Sequence, residues 1–434
     1  MKFLFVHQNF PGQYLHIIRH LIRAPGHEVA FITEPNSNNI PGIRRVNYHV
    51  KTPPPDGIHP NIRDLQLAMT RADAVARMAA NLKQLSFEPD IIIGHHGWGE
   101  LLNLVDVFPN TPILGYFEFY YETAGADVGF DPEYPSAPDQ FPRVRAMNSI
   151  NHLALTLNQH GQSPTEWQRS LYPDWAQRQI ALLPEGVQLD ICKPDPSARQ
   201  KPLVVNDFTI NPEDKLVTYV ARNLEPYRGF HTMMRALPAL LQARPDVKVV
   251  MLGGDEVSYG ARIANMTWRE FMSREIAGKY DASRVLMPGQ VPYDTHVKLL
   301  QRSDAHVYLT YPFVLSWSLR EAMACGCAII GSDVAPVREF IEDGKTGVLT
   351  DCLDPAKLST RIVEILEDTK LATKIRKGAR AYAEKHLDMG AYLAAYEGLI
   401  EKITGKDPRL PEPKPSPPAS PATRRRPAAA KAAR

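Results

Sequence analysis

The feature that most restricts the fold of this chain is an alternation that runs through it twice: short, wholly apolar stretches, each followed by a segment with apolar residues at helical spacing. In the first half FLFVHQ reads as a buried strand, FPGQ as a turn, YLHIIRHLIR as a helix of 3.6-residue period and HEVAFIT as the next strand. Residues 61–87 form a long amphipathic helix ahead of the apolar run DIIIGHH, and PILGYFEF follows at 112–119. Strands that are apolar on both faces and separated by helices need a parallel sheet covered on both sides.

The stretch KPDPSARQKPLVVNDFTINPED (193–214) interrupts the pattern with four prolines and reads as an interdomain linker. Alternation then restarts with KLVTYVAR, the helix HTMMRALPALLQARP, VKVVMLGG, RVLMPGQV, DAHVYLT, CAIIGS and TGVLTD. A length of 434 residues also exceeds one ordinary core. The expected organisation is α/β throughout: a first doubly wound domain over 1–192, a linker over 193–214 and a second over 215–385. A helix over 386–403 packs back on the first domain, and the tail 404–434, rich in Pro, Ala and Arg, is disordered.

The chain carries a net charge of +2, with 44% hydrophobic and 23% charged residues, the balance of a soluble globular protein. From Thr404 onward eight Lys/Arg face only Asp407 and Glu412, a net +6 that leaves about −4 on the rest of the chain. The body therefore offers no face for nucleic acid, while the tail suits weak peripheral contact with anionic lipid. No apolar run approaches the ~20 residues of a membrane span, and MKFLFVHQNF reads as a first strand rather than a signal peptide. The expected location is cytoplasmic, with a peripheral position at the inner face of the membrane as the variant. Four cysteines without a secretory signal argue against disulfides, and Cys325-Gly-Cys327 suits packing at a helix–strand turn better than a metal.

Two doubly wound domains leave a cleft between the carboxyl ends of their strands. No Gly-x-Gly-x-x-Gly, Walker A or Asp-x-Asp sequence occurs, so dinucleotide, P-loop and Asp-bound metal sites lose their main support. Arg222 ends one strand and Arg228 follows before Gly229 and a helix; such a pair suits a diphosphate, although arginines near a loop are commonly surface charges. The helix beginning near Trp317 and Ser318 presents free N–H groups to a phosphate. Glu321, one turn inside it, is either a ligand for a ribose diol or a solvated helix carboxylate.

Taken in order, these segments resemble glycosyltransferase family 4, the retaining group 1 glycosyltransferases of GT-B fold. PGQYLHIIRHLIRAPGHEV, PDIIIGHHGWGE, LPEGVQLD, VARNLEPYRG, PGQVPYDTHVKLLQRSDAHVYLTYP and LREAMACGCAIIGSDVAPVREFIEDGKTGVLTD carry the likeness over about residues 1–400. It implies a GT-B fold, two Rossmann-like domains facing across a cleft, and metal-independent transfer from a nucleotide-diphosphate sugar without a bound cofactor. Arg222 and Arg228 would hold the diphosphate and stabilise its departure. Glu321 would hold the ribose, the N–H groups of Trp317 and Ser318 the phosphates, and Gly12 would let backbone approach from the other domain. His95, in preference to His96, would reach the donor sugar.

The chain departs from the family where Glu, seven residues and Glu are usual: Phe313 stands in the place of the first acid, whose family role is to contact donor-sugar hydroxyls. Sugar recognition would then fall to Phe313, Ser316, Ser318 or Arg320. The segment YFEFYYETAGADVGFDPE, with Glu118, Glu122, Asp127 and Asp131, is assigned to the acceptor, a glycan, lipid-linked or small molecule. Glu185 and Gln188 replace the usual Asn and Asp before the linker. The same scaffold would also support a nucleotide-sugar 2-epimerase or a catalytically inactive nucleotide-sugar-binding protein.

Overall fold

The structure is a computed structural model that describes residues 1–50, 57–157 and 159–409. Two parallel sheets dominate it. The first holds seven strands, β1 (Lys2–Val6), β2 (Glu28–Thr33), β3 (Ile43–Asn47), β4 (Ile91–His95), β5 (Ile113–Tyr116), β6 (His160–Ser163) and β7 (Ile180–Leu182), in the order β3-β2-β1-β4-β5-β6-β7. Residues Phe3 to Val6 pair with Val29 to Ile32 on one side and Ile91 to Gly94 on the other. The side-chain period of two sorts this sheet into two cores. Phe3, Phe5, Phe31, Ile91 and Ile93 face the helix Leu15–Leu21 and the C-terminal helix Met389–Thr404, through Ile17, Ile18, Tyr396 and Ile400. Leu4, Val6, Ala30, Ile32 and Ile92 face the helix Arg63–Gln84, through Val75, Ala79 and Leu82. A continuous apolar strand is the consequence of having both faces covered.

A hairpin follows, β8 (Leu203–Val205) and β9 (Phe208–Ile210), antiparallel about Asn206 and Asp207 with Asn206 at φ 51°. It lies inside the stretch expected to be plain linker. An Asn-Asp pair is a natural two-residue hairpin turn because both residues tolerate the left-handed region. Val205 and Ile210 pack on Leu216, Val250 and Leu252 of the second domain.

The second sheet holds β10 (Lys215–Asn223), β11 (Val247–Gly254), β12 (Val285–Gly289), β13 (Ala305–Tyr308), β14 (Ile329–Ser332) and β15 (Val348–Thr350), in the order β12-β11-β10-β13-β14-β15. In each sheet the chain reverses direction once, between β1 and β4 and between β10 and β13. Those two reversal points open the crevices in which ligands of such sheets bind. The disordered, lipid-contacting tail expected over 404–434 starts later than that: Thr404 ends the C-terminal helix, Lys406 pairs with Asp90 and the Pro408 carbonyl accepts from His27 Nε2 at 2.9 Å, while 410–434 lie outside the described residues. Among the described residues no helix is long and apolar enough to cross a membrane.

Candidate functional site

The crevice of the first sheet is lined by the residues that end β1 and β4. His95 is 5% exposed; its Nδ1 accepts from the Gly97 N–H at 3.0 Å, which leaves the proton on Nε2, 3.3 Å from Glu118 Oε2. His7 stands edge-on to it, ring centroids 5.8 Å apart, and Trp98 and Tyr116 flank it at 6.1 and 5.5 Å. Burial and the neighbouring His95 push His7 down to about 3, so its imidazole is neutral. For Glu118 burial acts upward, but the hydrogen bond from His95 and the positive charge of Arg222 outweigh it, and the carboxyl lies below its ordinary range. His96 takes no part: it is fully buried against Phe117, centroids 4.6 Å apart. Gly12 sits at φ +55°, and a Cβ there would lie 3.0 Å from the His7 ring, so the loop can cover this histidine only with glycine.

The facing crevice belongs to the ends of β10 and β13. Arg222 is exposed there, and its charge is felt by His7 and Glu118 of the other domain, so the two crevices face one another. Arg228, in contrast, is 4% exposed. Its Nη1 donates to Thr310 Oγ1 at 2.8 Å and to the Val314 carbonyl at 2.9 Å, and its guanidinium lies 5.0 Å from the Tyr259 ring centroid. It braces the loop after β13 and carries charge behind the crevice wall. Gly229 makes this possible: at φ +67°, a Cβ would come 2.4 Å from Leu309.

The helix Trp317–Ala324 starts at the same crevice, with Ser316 as its N-cap. The Ser316 hydroxyl accepts from the Ser318 N–H at 3.3 Å, so of the two N–H groups expected at a phosphate, that of Ser318 is engaged by the cap. Glu321 accepts from Tyr293 Oη at Oε1 and from His296 Nε2 at Oε2, both at 2.9 Å. Beside it a small pocket is lined by Gln13 and His16 of the first domain, Glu185, Trp317, Arg320 and Glu321 among others.

Two groups of residues in this region were not read from the sequence as partners. Glu185 accepts from Tyr116 Oη at 3.1 Å and Trp317 Nε1 at 2.8 Å, and lies 3.2 Å from Nη1 of Arg320, which is 2% exposed. Arg320 therefore pairs with Glu185 rather than standing free for a sugar. Glu225, fully buried, accepts from the N–H groups of Ser258, Tyr259 and Gly260, which places Tyr259 against Arg228.

Phe313 does not face an open sugar pocket. Its ring, 8% exposed, packs 4.6 Å from Phe119 of the first domain and 4.8 and 5.6 Å from Tyr259 and Tyr227. The acidic, aromatic segment assigned to the acceptor is likewise redirected beyond Glu118. Asp127 accepts from Tyr227 Oη at 2.7 Å, and Asp131 from Tyr311 Oη at 2.5 Å with His231 Nε2 3.1 Å away. Glu133 is held bidentately by Arg235 at 2.6 and 2.7 Å. Residues 119–134 form a strap from the first domain onto the second, and their carboxylates are used in crossing. Asp131, Glu133 and His231 bring ligand-type atoms within 4.8 Å of one another, each already engaged by these partners.

With both crevices described, comparison with known proteins decides the family. The model for the glycosyl transferase family 4 group matches residues 25–192, and that for glycosyl transferases group 1 matches residues 201–382. The chain belongs to the family 4, group 1 glycosyltransferases. It is 31% identical over 201 residues to a phosphatidyl-myo-inositol mannosyltransferase of Mycolicibacterium smegmatis, covering 44% of this chain and 46% of that one. It is 26% identical over 239 residues to a D-inositol 3-phosphate glycosyltransferase of Acidothermus cellulolyticus, covering 53% and 51%. Such matches span about a third to just over half of the length of the curated relatives.

The GT-B fold is shared with a sucrose-phosphate synthase from Thermosynechococcus elongatus, at TM-score 0.71, 18% identity and coverage of 93% and 99% of the two chains. It is shared equally with Anabaena HepE in complex with UDP and glucose, at TM-score 0.65, 17% identity and coverage of 93% and 100%. Within this fold, then, the two facing crevices are those of a GT-B pair.

Proposed function

We propose that this chain transfers a glycosyl group, with retention of anomeric configuration, from a nucleoside-diphosphate sugar in the second domain to a hydroxyl group in the first. The observation that carries the reading is the opposition of the two crevices: exposed Arg222 and doubly supported Glu321 on one side, the His95–Glu118 pair on the other. Glu321 receives the ribose diol through the lone pairs that Tyr293 and His296 leave open. Arg222, backed by the buried charge of Arg228 and by the start of the helix at Trp317, stabilises the diphosphate as the C1–O bond breaks. The new C1–O bond forms on the same face, and the acceptor hydroxyl proton passes to the departing phosphate oxygen. This scheme assigns leaving-group stabilisation to arginine and helix dipole and invokes no resident metal or cofactor. His95 is placed beside the donor sugar, held by Glu118.

The 2-epimerase alternative calls for several free carboxylates in the cleft, and the engagement of Asp127 and Asp131 in the strap speaks against it. Thermal unfolding of the full chain with UDP, GDP, ADP and dTDP and their glucose or mannose derivatives tests the reading. A nucleotide at 100 times its Kd adds about 2.7 kcal/mol, and the nucleotide that stabilises should be released from its sugar faster when acceptor is added. Stabilisation by none of them would sink the proposal. A product of inverted anomeric configuration by NMR would remove the retention claim.

A further inference from the structure

The helix Trp317–Ala324 is held from both domains. Glu321 is fixed from within the second domain, by Tyr293 and His296 at 2.9 Å each. Trp317 and Arg320 are fixed from the first, by Glu185, whose Oε2 lies 2.8 Å from Trp317 Nε1 and 3.2 Å from Arg320 Nη1. These two residues are three positions apart and so share a face of the helix. A single carboxylate oxygen that takes both sets the rotation of the helix about its axis as well as its position.

The other oxygen of Glu185 leads back to the first crevice. Oε1 accepts from Tyr116 Oη at 3.1 Å, and Tyr116 ends β5 with its ring 5.5 Å from that of His95. The Glu185 backbone is pinned as well. Gly186 lies so close to the start of the C-terminal helix that a Cβ there would come 2.7 Å from Met389 Cα. Val187 exchanges backbone hydrogen bonds with Leu387 and Met389 at 2.8 and 3.2 Å. Arg320 is buried, its guanidinium 5.4 Å from the Phe340 ring centroid. A guanidinium keeps its charge when buried and needs an anion beside it. Asn, usual in the family at this place, is one methylene shorter and would supply none.

We infer that Glu185 is a positioning residue for the donor diphosphate, setting the start of the helix Trp317–Ala324 against the His95 crevice. This rests on the glycosyl-transfer reading above, which puts the diphosphate at the helix start and the ribose at Glu321. Without Glu185 the helix can turn, and the N–H groups of its first turn move with the backbone. The Glu321 carboxylate ends a flexible side chain and is held by Tyr293 and His296, so it keeps its place. The grip on the diphosphate therefore depends on the first domain, whereas the grip on the nucleoside does not.

The test compares a nucleoside diphosphate with its nucleoside on the full chain: UDP with uridine and GDP with guanosine, by calorimetry and saturation-transfer NMR. Glu185→Gln keeps the side-chain length and one acceptor but not the charge. Combining it with Arg320→Met also removes the guanidinium, so that no buried charge is left alone. Both variants should bind the diphosphate about tenfold more weakly, the scale of one hydrogen bond to a charged group, and the nucleoside within about twofold of the wild type. Where Glu185→Gln alone does not fold, the double variant decides. Wild-type affinity of the double variant for the diphosphate overturns the inference, because the pair then only balances its own charges. Equal weakening of diphosphate and nucleoside overturns it too, since a merely structural role disturbs the whole pocket. Both of these outcomes leave the transfer reading standing. Binding of none of the four probes by the wild type overturns that reading, and this inference with it.

Discussion

At the Glu321 end of the second domain's crevice, polar groups are fixed yet keep spare hydrogen-bonding capacity; at the Phe313 end they are used up. Glu321 has one donor on each oxygen, and Arg222 stands exposed. A few residues away Phe313 is walled in by Phe119, Tyr227 and Tyr259, and Asp127, Asp131 and Glu133 are each bound to a partner in the other domain. One end is therefore built to take a ligand and the other to hold two domains together. The loss of the first acid of the family signature goes with this division: a carboxylate at 313 would be buried among the rings of Phe119, Tyr227 and Tyr259, at a desolvation cost.

The division predicts that substitutions at the two ends will separate stability from binding. The largest effect belongs to the sealed end. Asp131→Ala leaves Tyr311 and His231 buried without their acceptor and should lower unfolding free energy by about 3 kcal/mol or more, read by urea denaturation. Loss below 1 kcal/mol would mean that the strap is not part of the folded unit. Arg222→Ala, at the open end, should do the reverse. Turnover should fall roughly 10²–10³-fold, as for removal of one preorganised transition-state donor, while stability stays within about 0.5 kcal/mol. A large stability loss there would erase the contrast.

Acid should attack the sheets rather than the strap. His7, His96 and His306 are pushed down to about 3, chiefly by burial, whereas Asp131 is held below the ordinary carboxylate range. For Asp131 burial acts upward, but the His231 and Tyr311 hydrogen bonds outweigh it. Each histidine is neutral when folded and binds a proton when unfolded below its ordinary value near 6.5. Their contribution is complete above that value and declines as pH falls from it toward 3, by about 1.4 kcal/mol per pH unit for each histidine. The urea midpoint should thus drop from pH 7 to pH 5, and His306→Gln should remove about one histidine's share of that slope. An unchanged slope would show that His306 does not titrate on unfolding.

Much of the fold was legible because its signal is periodic and local. FLFVHQ, HEVAFIT and VKVVMLGG could be nothing but strands covered on both faces, and the two chain reversals put Arg222, His95 and Glu321 on facing crevices. What escaped the sequence depends on pairs far apart. Asp131 meets Tyr311 across 180 positions, and an acidic, aromatic run looks the same whether it will stack on a sugar or dock on a domain. Arg228 reads as a ligand-facing charge until Val314 and Thr310 enclose it. The Glu185–Arg320 pair left one trace: Glu185 stands where the family has Asn, and Arg320, of opposite charge, was the other side chain without a settled role. The hairpin at Asn206 was hidden by the prolines around it.

The smallest effect tests whether the open end is organised before its ligand arrives. Tyr293 Oη lies 2.9 Å from Glu321 Oε1 and 3.3 Å from Cys192 Sγ, so it fixes the carboxylate from the side opposite His296. A carboxylate has about four acceptor positions; with two taken, each oxygen keeps one for a hydroxyl of the proposed nucleotide, and the plane of the group is set in advance. Tyr293→Phe removes one hydrogen bond of about 1 kcal/mol net. The carboxylate is then free to turn, and nucleotide affinity should fall about fivefold, a shift in Kd measurable by calorimetry with the nucleotide that stabilises the wild type. Since Tyr293 is 48% exposed, the unfolding midpoint should barely move. Unchanged affinity would mean that His296 alone orients Glu321. A fall in stability equal to the fall in affinity would make Tyr293 a packing residue, and the open end would then differ less from the sealed one than its hydrogen bonds indicate.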